Sequence, residues 1–115
     1  MDGEEAHLDG PILAELEDIM EDDFGILIET YLADAADKIT QLDTALKADD
    51  ASALREISHS LKGASCNIGA LPLSHLFEKL EDLAKQERTE EIPPLMPPIE
   101  VEFSTIRSLL EAKIL

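Results

Sequence analysis

Apolar residues recur at intervals of three and four along five separate segments of this 115-residue chain, which is the spacing of one face of an α-helix. Eighteen residues are leucine and thirteen are alanine, whereas valine occurs once. This balance favours helices, because leucine and alanine lose little rotamer freedom in a helix while β-branched side chains prefer strands. The length is that of one domain, so the sequence predicts a single all-α domain.

Turn and capping residues divide these segments into one short and four long helices. The short helix has Pro11 in its first turn and ends near Met20. The long helices are predicted, in chain order, from an N-cap at Asp22 or Asp23 to about Lys47, from an N-cap at Asp49 or Asp50 to a stop at Asn67–Gly69, from a first turn at Pro72 to about Glu87, and from about Pro97 onward.

Short connections between long helices make neighbouring helices antiparallel. The predicted fold is therefore an antiparallel up-down-up-down four-helix bundle, with the additional short N-terminal helix packed on one end. We assign residues 9–115 to the bundle and residues 1–8 to a flexible acidic N-terminal tail, which contains His7.

Charge and the lengths of the apolar runs exclude several classes of partner and location. The chain has 26 Asp and Glu against 9 Lys and Arg, with a formal net charge of -17. A nucleic acid or an anionic membrane surface would repel such a chain, so we expect neither as a partner. No apolar run approaches the roughly 18 residues of a transmembrane helix, and the acidic N terminus has no hydrophobic signal region. Together with the lone Cys66, which forms no internal disulfide, this predicts a cytoplasmic protein.

A stretch without acidic residues runs from position 57 to position 77, where an even spread of the chain's 26 would place about five. At about 100° per residue, His59 lies opposite the apolar face of its helix and is predicted to point to solvent. The same outward sector contains Arg55, Lys62 and Gly63, with one glutamate near it. A surface so poor in negative charge suits an anion, although burial of half of the stretch would also explain the missing acids.

Two residues one turn after His59 indicate what this sector could do. Lys62 can pair with an anionic group attached to the ring, and it helps to keep a ring nitrogen nucleophilic. Gly63 costs about 1 kcal/mol of helix propensity relative to alanine, and it leaves open surface where another protein's backbone can approach. Other candidates are weaker: His75 is expected to be partly buried and structural, and Cys66 lies about 10 Å from His59 along the helix axis, too far for thiol catalysis.

Three segments carry a resemblance to a known family: His59–Ser65, Asn67–Ala70 and Leu76–Glu81. Their sequences, HSLKGAS, NIGA and LFEKLE, resemble those of the histidine-containing phosphotransfer (HPt) domain of multistep two-component phosphorelays. The similarity extends along nearly the whole chain, and only the tail before Leu8 and the proline-rich approach to the last helix are unusual. The resemblance implies a four-helix bundle with an extra N-terminal helix, in agreement with the periodicity.

The resemblance further implies that His59 accepts a phosphoryl group on Nε2 from the aspartyl-phosphate of a receiver domain and passes it reversibly to the aspartate of another receiver. It also implies that Lys62 steadies the phosphoryl group, that Gly63 gives access, and that Ser65 packs inward or hydrogen-bonds beneath the site. Arg55 comes from the helical wheel alone, as a candidate second cation.

The same resemblance implies a phosphocarrier without kinase activity of its own, and the chain has no Walker-type glycine loop. We expect no cofactor in the chain, with Mg²⁺ bound instead by the partner receiver. The expected partners are the receiver domains of hybrid sensor kinases and response regulators, and the chain is expected to be a monomer. The alternative function is a helical-bundle adaptor that binds receivers without transferring a phosphoryl group, and the presence of His59 with Lys62 argues against it.

Overall fold

Five α-helices account for most of residues 6–115, the part of the chain that the computed structural model describes. The helices are α1 (Gly10–Met20), α2 (Phe24–Lys47), α3 (Ala51–Asn67), α4 (Leu71–Lys85) and α5 (Met96–Ile114). Short 3-10 turns lie at Glu21–Asp23, Thr89–Glu91 and Pro93–Leu95. No strand occurs within residues 6–115.

The four long helices form an antiparallel bundle. Each packs against the next in the sequence, and α5 packs against α2 to close the bundle. The contacts between α3 and α4 run in opposite chain directions, since Lys62 meets Ser74 and His59 meets Glu81. The short α1 packs against α2 at one end. The predicted all-α, up-down-up-down four-helix bundle with a short N-terminal helix is therefore confirmed.

The apolar faces of the helices converge on one core. The largest side chains that are fully buried there are Leu8, Ile28, Leu42, Leu54, Leu61, Leu73, Phe77, Leu80, Ile92, Ile99, Ile106 and Leu110. Burial of each such side chain stabilises the fold by about 1.5 to 3 kcal/mol, so this interior is the main source of stability. Over the described part of the chain, no helix has both the length and the apolar composition that crossing a bilayer requires.

The N-caps of α2 and α3 lie at predicted residues, but only one of the two side chains makes a capping hydrogen bond. Asp50 caps α3, because its side chain accepts a hydrogen bond of 3.0 Å from the Ala53 N–H. Asp23, one of the two predicted positions, is the N-cap residue of α2, but its side chain makes no capping hydrogen bond. The 3-10 turn at Glu21–Asp23 leads into the helix with Asp23 already in a helical backbone conformation, and the backbone itself supplies the first hydrogen bonds.

The end of α4 lies slightly before the predicted position. The helix ends at Lys85, and Glu87 has a φ of 56°, a left-handed conformation in which the chain leaves the helix direction. The stop predicted at the end of α3 is confirmed, since Gly69 has a φ of 82°, which glycine adopts without strain.

The start of the packed region differs from the predicted boundary at residue 9. Leu8 is 1% exposed, and His7 Nδ1 lies 2.8 Å from a carboxylate oxygen of Glu102. The Asp9 N–H also donates to the Gly69 carbonyl oxygen at 2.8 Å, which ties this segment to the α3–α4 turn. His7 and Leu8 therefore belong to the bundle and not to a flexible tail, while residues 1–5 of the predicted tail lie outside the described residues.

Candidate functional site

His59 lies near the middle of α3, on the face that points away from the core. The opposite face of α3 buries Leu54, Ser58, Leu61 and Ser65 at helical spacing. The His59 side chain is 69% exposed, which confirms the prediction that it points to solvent. An imidazole this open is accessible to a macromolecular partner.

Glu81, on α4, is the carboxylate that the His59 ring contacts. Its side chain is only 4% exposed, and its Oε2 lies 2.8 Å from His59 Nδ1. Lys62 Nζ lies 2.8 Å from Glu81 Oε1 and forms an ion pair with it. Lys85 Nζ lies 3.7 Å from Oε2. Three side chains thus converge on one buried carboxylate.

The neighbouring positive charges decide the ionisation of Glu81. Burial alone would raise the pKa of this carboxyl, but the contacts with Lys62 and His59 and the charge of Lys85 outweigh it, and the net result is a lowered pKa. The contact with Glu81 in turn raises the pKa of Lys62. Both members of the pair are therefore charged at neutral pH.

The ionised state of Glu81 determines which nitrogen of His59 carries the proton. A carboxylate only accepts hydrogen bonds, so the 2.8 Å contact requires a proton on Nδ1 of His59. In the neutral ring the lone pair is then on Nε2, on the side of the ring away from Glu81. The arrangement leaves a nucleophilic nitrogen on an exposed surface.

Gly63 leaves the surface beside this nitrogen open. The residue is exposed, and a Cβ atom placed on it would have nothing within 4 Å. Lys62, which precedes it, is 30% exposed and is held against Glu81. The open surface predicted at Gly63 is thus present, whereas the Lys62 ammonium has a partner within the protein that the sequence did not indicate.

Two hydrogen bonds hold α3 in place beneath the site. The Ser65 hydroxyl is buried and lies 2.8 Å from the hydroxyl of Tyr31 on α2. On the other side, the Ser74 hydroxyl of α4 donates to the Lys62 carbonyl oxygen at 2.9 Å. Burial raises the pKa of Tyr31 to about 12, with the bond to Ser65 acting in the opposite direction. The expectation that Ser65 lies inward beneath the site is correct as to position.

An open cleft of about 400 Å³ between α3 and α4 borders the ring. It is lined by Arg55, Glu56, His59, Glu81 and Lys85. The structure therefore places Arg55 in the same cleft as the ring, on the outward sector that the helical wheel predicted, and adds Lys85 from the next helix. A larger groove of about 700 Å³ lies between the end of α2 and the start of α5, and no histidine lines it.

Glu81 is a residue of the site that was not among the predicted ones, although it lies within the segment LFEKLE. A signal was available: Glu81 comes four residues after Phe77 and three before Ala84, on the same helical face as these buried side chains. A carboxylate at a buried position needs a charged or hydrogen-bonding partner. The sequence could not indicate that the partners of Glu81 are His59 and Lys62, which lie on another helix.

Two other candidates stay apart from the cluster. His75 is exposed, so the expectation that it is partly buried is wrong, because the first turn of α4 turns it outward. Cys66 is also exposed and unpaired. Within the described part of the chain, no three His, Cys, Asp or Glu side chains are grouped so as to hold a metal ion.

A protein-family model and a solved structure both match this chain over most of its length. The family model of the Hpt domain matches residues 26–113, which include both His59 and Glu81. The chain is also similar to a solved structure, histidine-containing phosphotransfer protein B (HptB) from Pseudomonas aeruginosa PAO1, with 37% sequence identity and a TM-score of 0.92. The match covers 94% of each of the two chains. No curated protein matches at a significant level.

Proposed function

The chain belongs to the Hpt domain family, and on that basis we propose that it carries a phosphoryl group on His59. The group comes from the aspartyl-phosphate of one receiver domain and goes, reversibly, to the aspartate of another. Family membership supports histidine phosphotransfer in a phosphorelay as the general role. The observation that carries the specific proposal is the hydrogen bond between Nδ1 of the exposed His59 ring and the buried Glu81 carboxylate.

The transfer step needs no base to remove a proton. The lone pair on Nε2 of His59 attacks phosphorus, and the bond between phosphorus and the aspartyl oxygen breaks, so that the aspartate leaves as a carboxylate with the electron pair. The ring becomes a phosphorylated imidazolium, and its proton stays on Nδ1, still donated to Glu81. The negative charge of Glu81 stabilises this cation, and the reverse sequence returns the group to an aspartate.

The other residues of the cluster support this chemistry. Lys62 balances the charge of Glu81. It also adds a positive charge one helical turn from His59, the residue that bears the phosphoryl group. Gly63 gives the partner's main chain access to the ring, because no side chain stands there. Ser65, bonded to Tyr31, keeps this part of α3 in register with α2.

The proposal extends to partners and location. The partners are the receiver domains of hybrid sensor kinases and response regulators, and each receiver supplies the Mg²⁺ that neutralises charge on the transferring group. The chain acts as a cytoplasmic monomer without kinase activity. The chain as a whole has a formal charge of -17 and would repel a receiver's acidic pocket. Electrostatic attraction to that pocket therefore comes only from the cations around His59.

The test is a transfer assay with purified proteins. The chain is mixed with a receiver domain that carries a labelled aspartyl-phosphate, and we expect label on the chain that is stable in alkali and labile in acid. His59→Gln should take up none. The matched control is His75→Gln, because His75 is also an exposed histidine and lies on the neighbouring helix; this variant should be labelled like the parent.

Two outcomes would contradict the proposal. Label that persists in His59→Gln would remove His59 from its role. Stable binding of a phosphorylated receiver without any transfer to the parent would instead favour the adaptor function.

A further inference from the structure

Arg55 differs from the other cations around His59 because its guanidinium has no ion-pair or hydrogen-bond partner among the described residues. Lys62 and Lys85 both contact Glu81, at 2.8 Å and 3.7 Å. Within residues 6–115, no ion pair or hydrogen bond joins the Arg55 guanidinium to another side chain.

Arg55 lies close to His59 on the exposed face of α3 and lines the same cleft. Arg55 lies one turn before His59 on α3, and residues four apart on a helix have Cβ atoms about 6 Å from each other. Helical side chains lean toward the N-terminal turn, so the His59 ring leans toward Arg55. Both side chains line the cleft between α3 and α4, whereas Lys62, one turn later, does not.

Phosphorylation changes the charge of the cluster, and Arg55 is the cation lining the cleft that does not already contact Glu81 within the described residues. The imidazolium that forms is balanced by Glu81, and Glu81 already contacts the ammonium groups of two lysines. The phosphoryl oxygens bring further negative charge to the exposed side of the ring. A guanidinium can donate two parallel hydrogen bonds to such oxygens, which suits it to this group better than an ammonium.

We propose that Arg55 binds the phosphoryl group on His59 and stabilises the phosphorylated chain, while Lys62 acts mainly on Glu81. This inference rests on the proposed function, since it assumes that His59 is phosphorylated. Arg55 then shifts the equilibrium between the phosphorylated receiver and the phosphorylated chain toward the chain, whatever its effect on the rate of transfer.

The experiment measures that equilibrium. A receiver domain is phosphorylated with a small-molecule phosphodonor, freed of the donor and mixed with the chain, and the label on each protein is quantified until the ratio is constant. For Arg55→Gln we expect the ratio to shift toward the phosphorylated receiver by about fivefold, the size of one exposed charge-assisted contact. The ratio for Arg55→Lys should lie between those of the parent and Arg55→Gln, because lysine keeps the positive charge but cannot donate two parallel hydrogen bonds.

Lys79→Gln is the matched control. Lys79 is an exposed cation on α4 that does not line the cleft, and no ion pair or hydrogen bond is found for it in the described part of the chain. Its variant should leave the equilibrium at the parent's value. An equal shift in Lys79→Gln would mean that net charge alone is responsible, and it would overturn the inference.

A role in docking would give a different result. A residue that only contacts the receiver changes the forward and reverse rates by the same factor and leaves the equilibrium unchanged, so that result in Arg55→Gln would also overturn the inference. Failure of the proposed function is distinguishable, because the parent itself would then take up no label on His59.

Discussion

The chain's single tyrosine allows a direct test of the packing beneath His59. Tyr31 is 7% exposed, and its hydroxyl lies 2.8 Å from Ser65 Oγ. Burial raises the pKa of Tyr31 from 10.0 to about 12. Because the chain has one Tyr and no Trp, every phenolate signal in an alkaline titration comes from this position.

The shift corresponds to a sizeable share of the free energy of unfolding. Two pKa units amount to about 3 kcal/mol. A raised pKa favours the fold while the phenol is neutral, so this contribution is fully present below pH 10 and is lost as the pH rises to about 12. In that interval the free energy of unfolding should fall by roughly 1.4 kcal/mol per pH unit on account of Tyr31. Tyr31→Phe should remove this part of the slope.

The assay records phenolate absorbance and far-ultraviolet circular dichroism on the same samples, with a denaturant-unfolded sample as the reference. The reference should ionise near pH 10. In the folded protein we expect ionisation near pH 12, or, where the bundle unfolds earlier, ionisation that coincides with the loss of helix. Ionisation near pH 10 with the helical signal intact would refute the reasoning, because a buried phenol cannot ionise there without opening the bundle.

The remaining predictions concern variants at three positions of the site. Glu81→Gln should slow transfer by about tenfold, the lower end of the loss seen when a carboxylate that orients a metal-bound histidine is removed. Glu78→Gln, at an exposed neighbouring position on α4, should leave the rate unchanged. Equal rates in the parent and Glu81→Gln would count against the role of the carboxylate. Since the pKa of Glu81 is lowered, its stabilising effect is present above its ordinary pKa of 4.5 and is lost as the pH falls through the folded-state value, so acid unfolding of Glu81→Gln should lack that part of the pH dependence. Lys62→Ala should keep the fold and slow transfer, and a parent-like transfer rate would contradict the charge argument. Gly63→Leu should raise the free energy of unfolding by up to about 1 kcal/mol, because the new side chain meets open space, yet weaken receiver binding, as titration calorimetry can measure; parent-like affinity would rule out a close approach at Gly63.

Local sequence was sufficient for the helices and for the direction of His59. Helical periodicity depends on backbone geometry that each segment carries by itself, so the bounds of α3 and the outward position of His59 could be worked out from residue spacing. The stop at Gly69 was equally local, because it depends on the one residue type that adopts a positive φ without strain.

The tertiary structure decided which groups meet. Lys62 lies beside His59 in the sequence, but its nearest charged partner is Glu81, nineteen positions further along, and only the crossing of α3 and α4 brings the two together. The packing of His7 and Leu8 on the bundle likewise depends on contacts with the α3–α4 turn and α5. Periodicity determines which side of a helix a residue occupies, whereas ion pairs and burial depend on which helix comes to lie against that side. For this reason the sequence by itself determined the exposed histidine, and only the folded bundle determined the buried carboxylate that selects its reactive nitrogen.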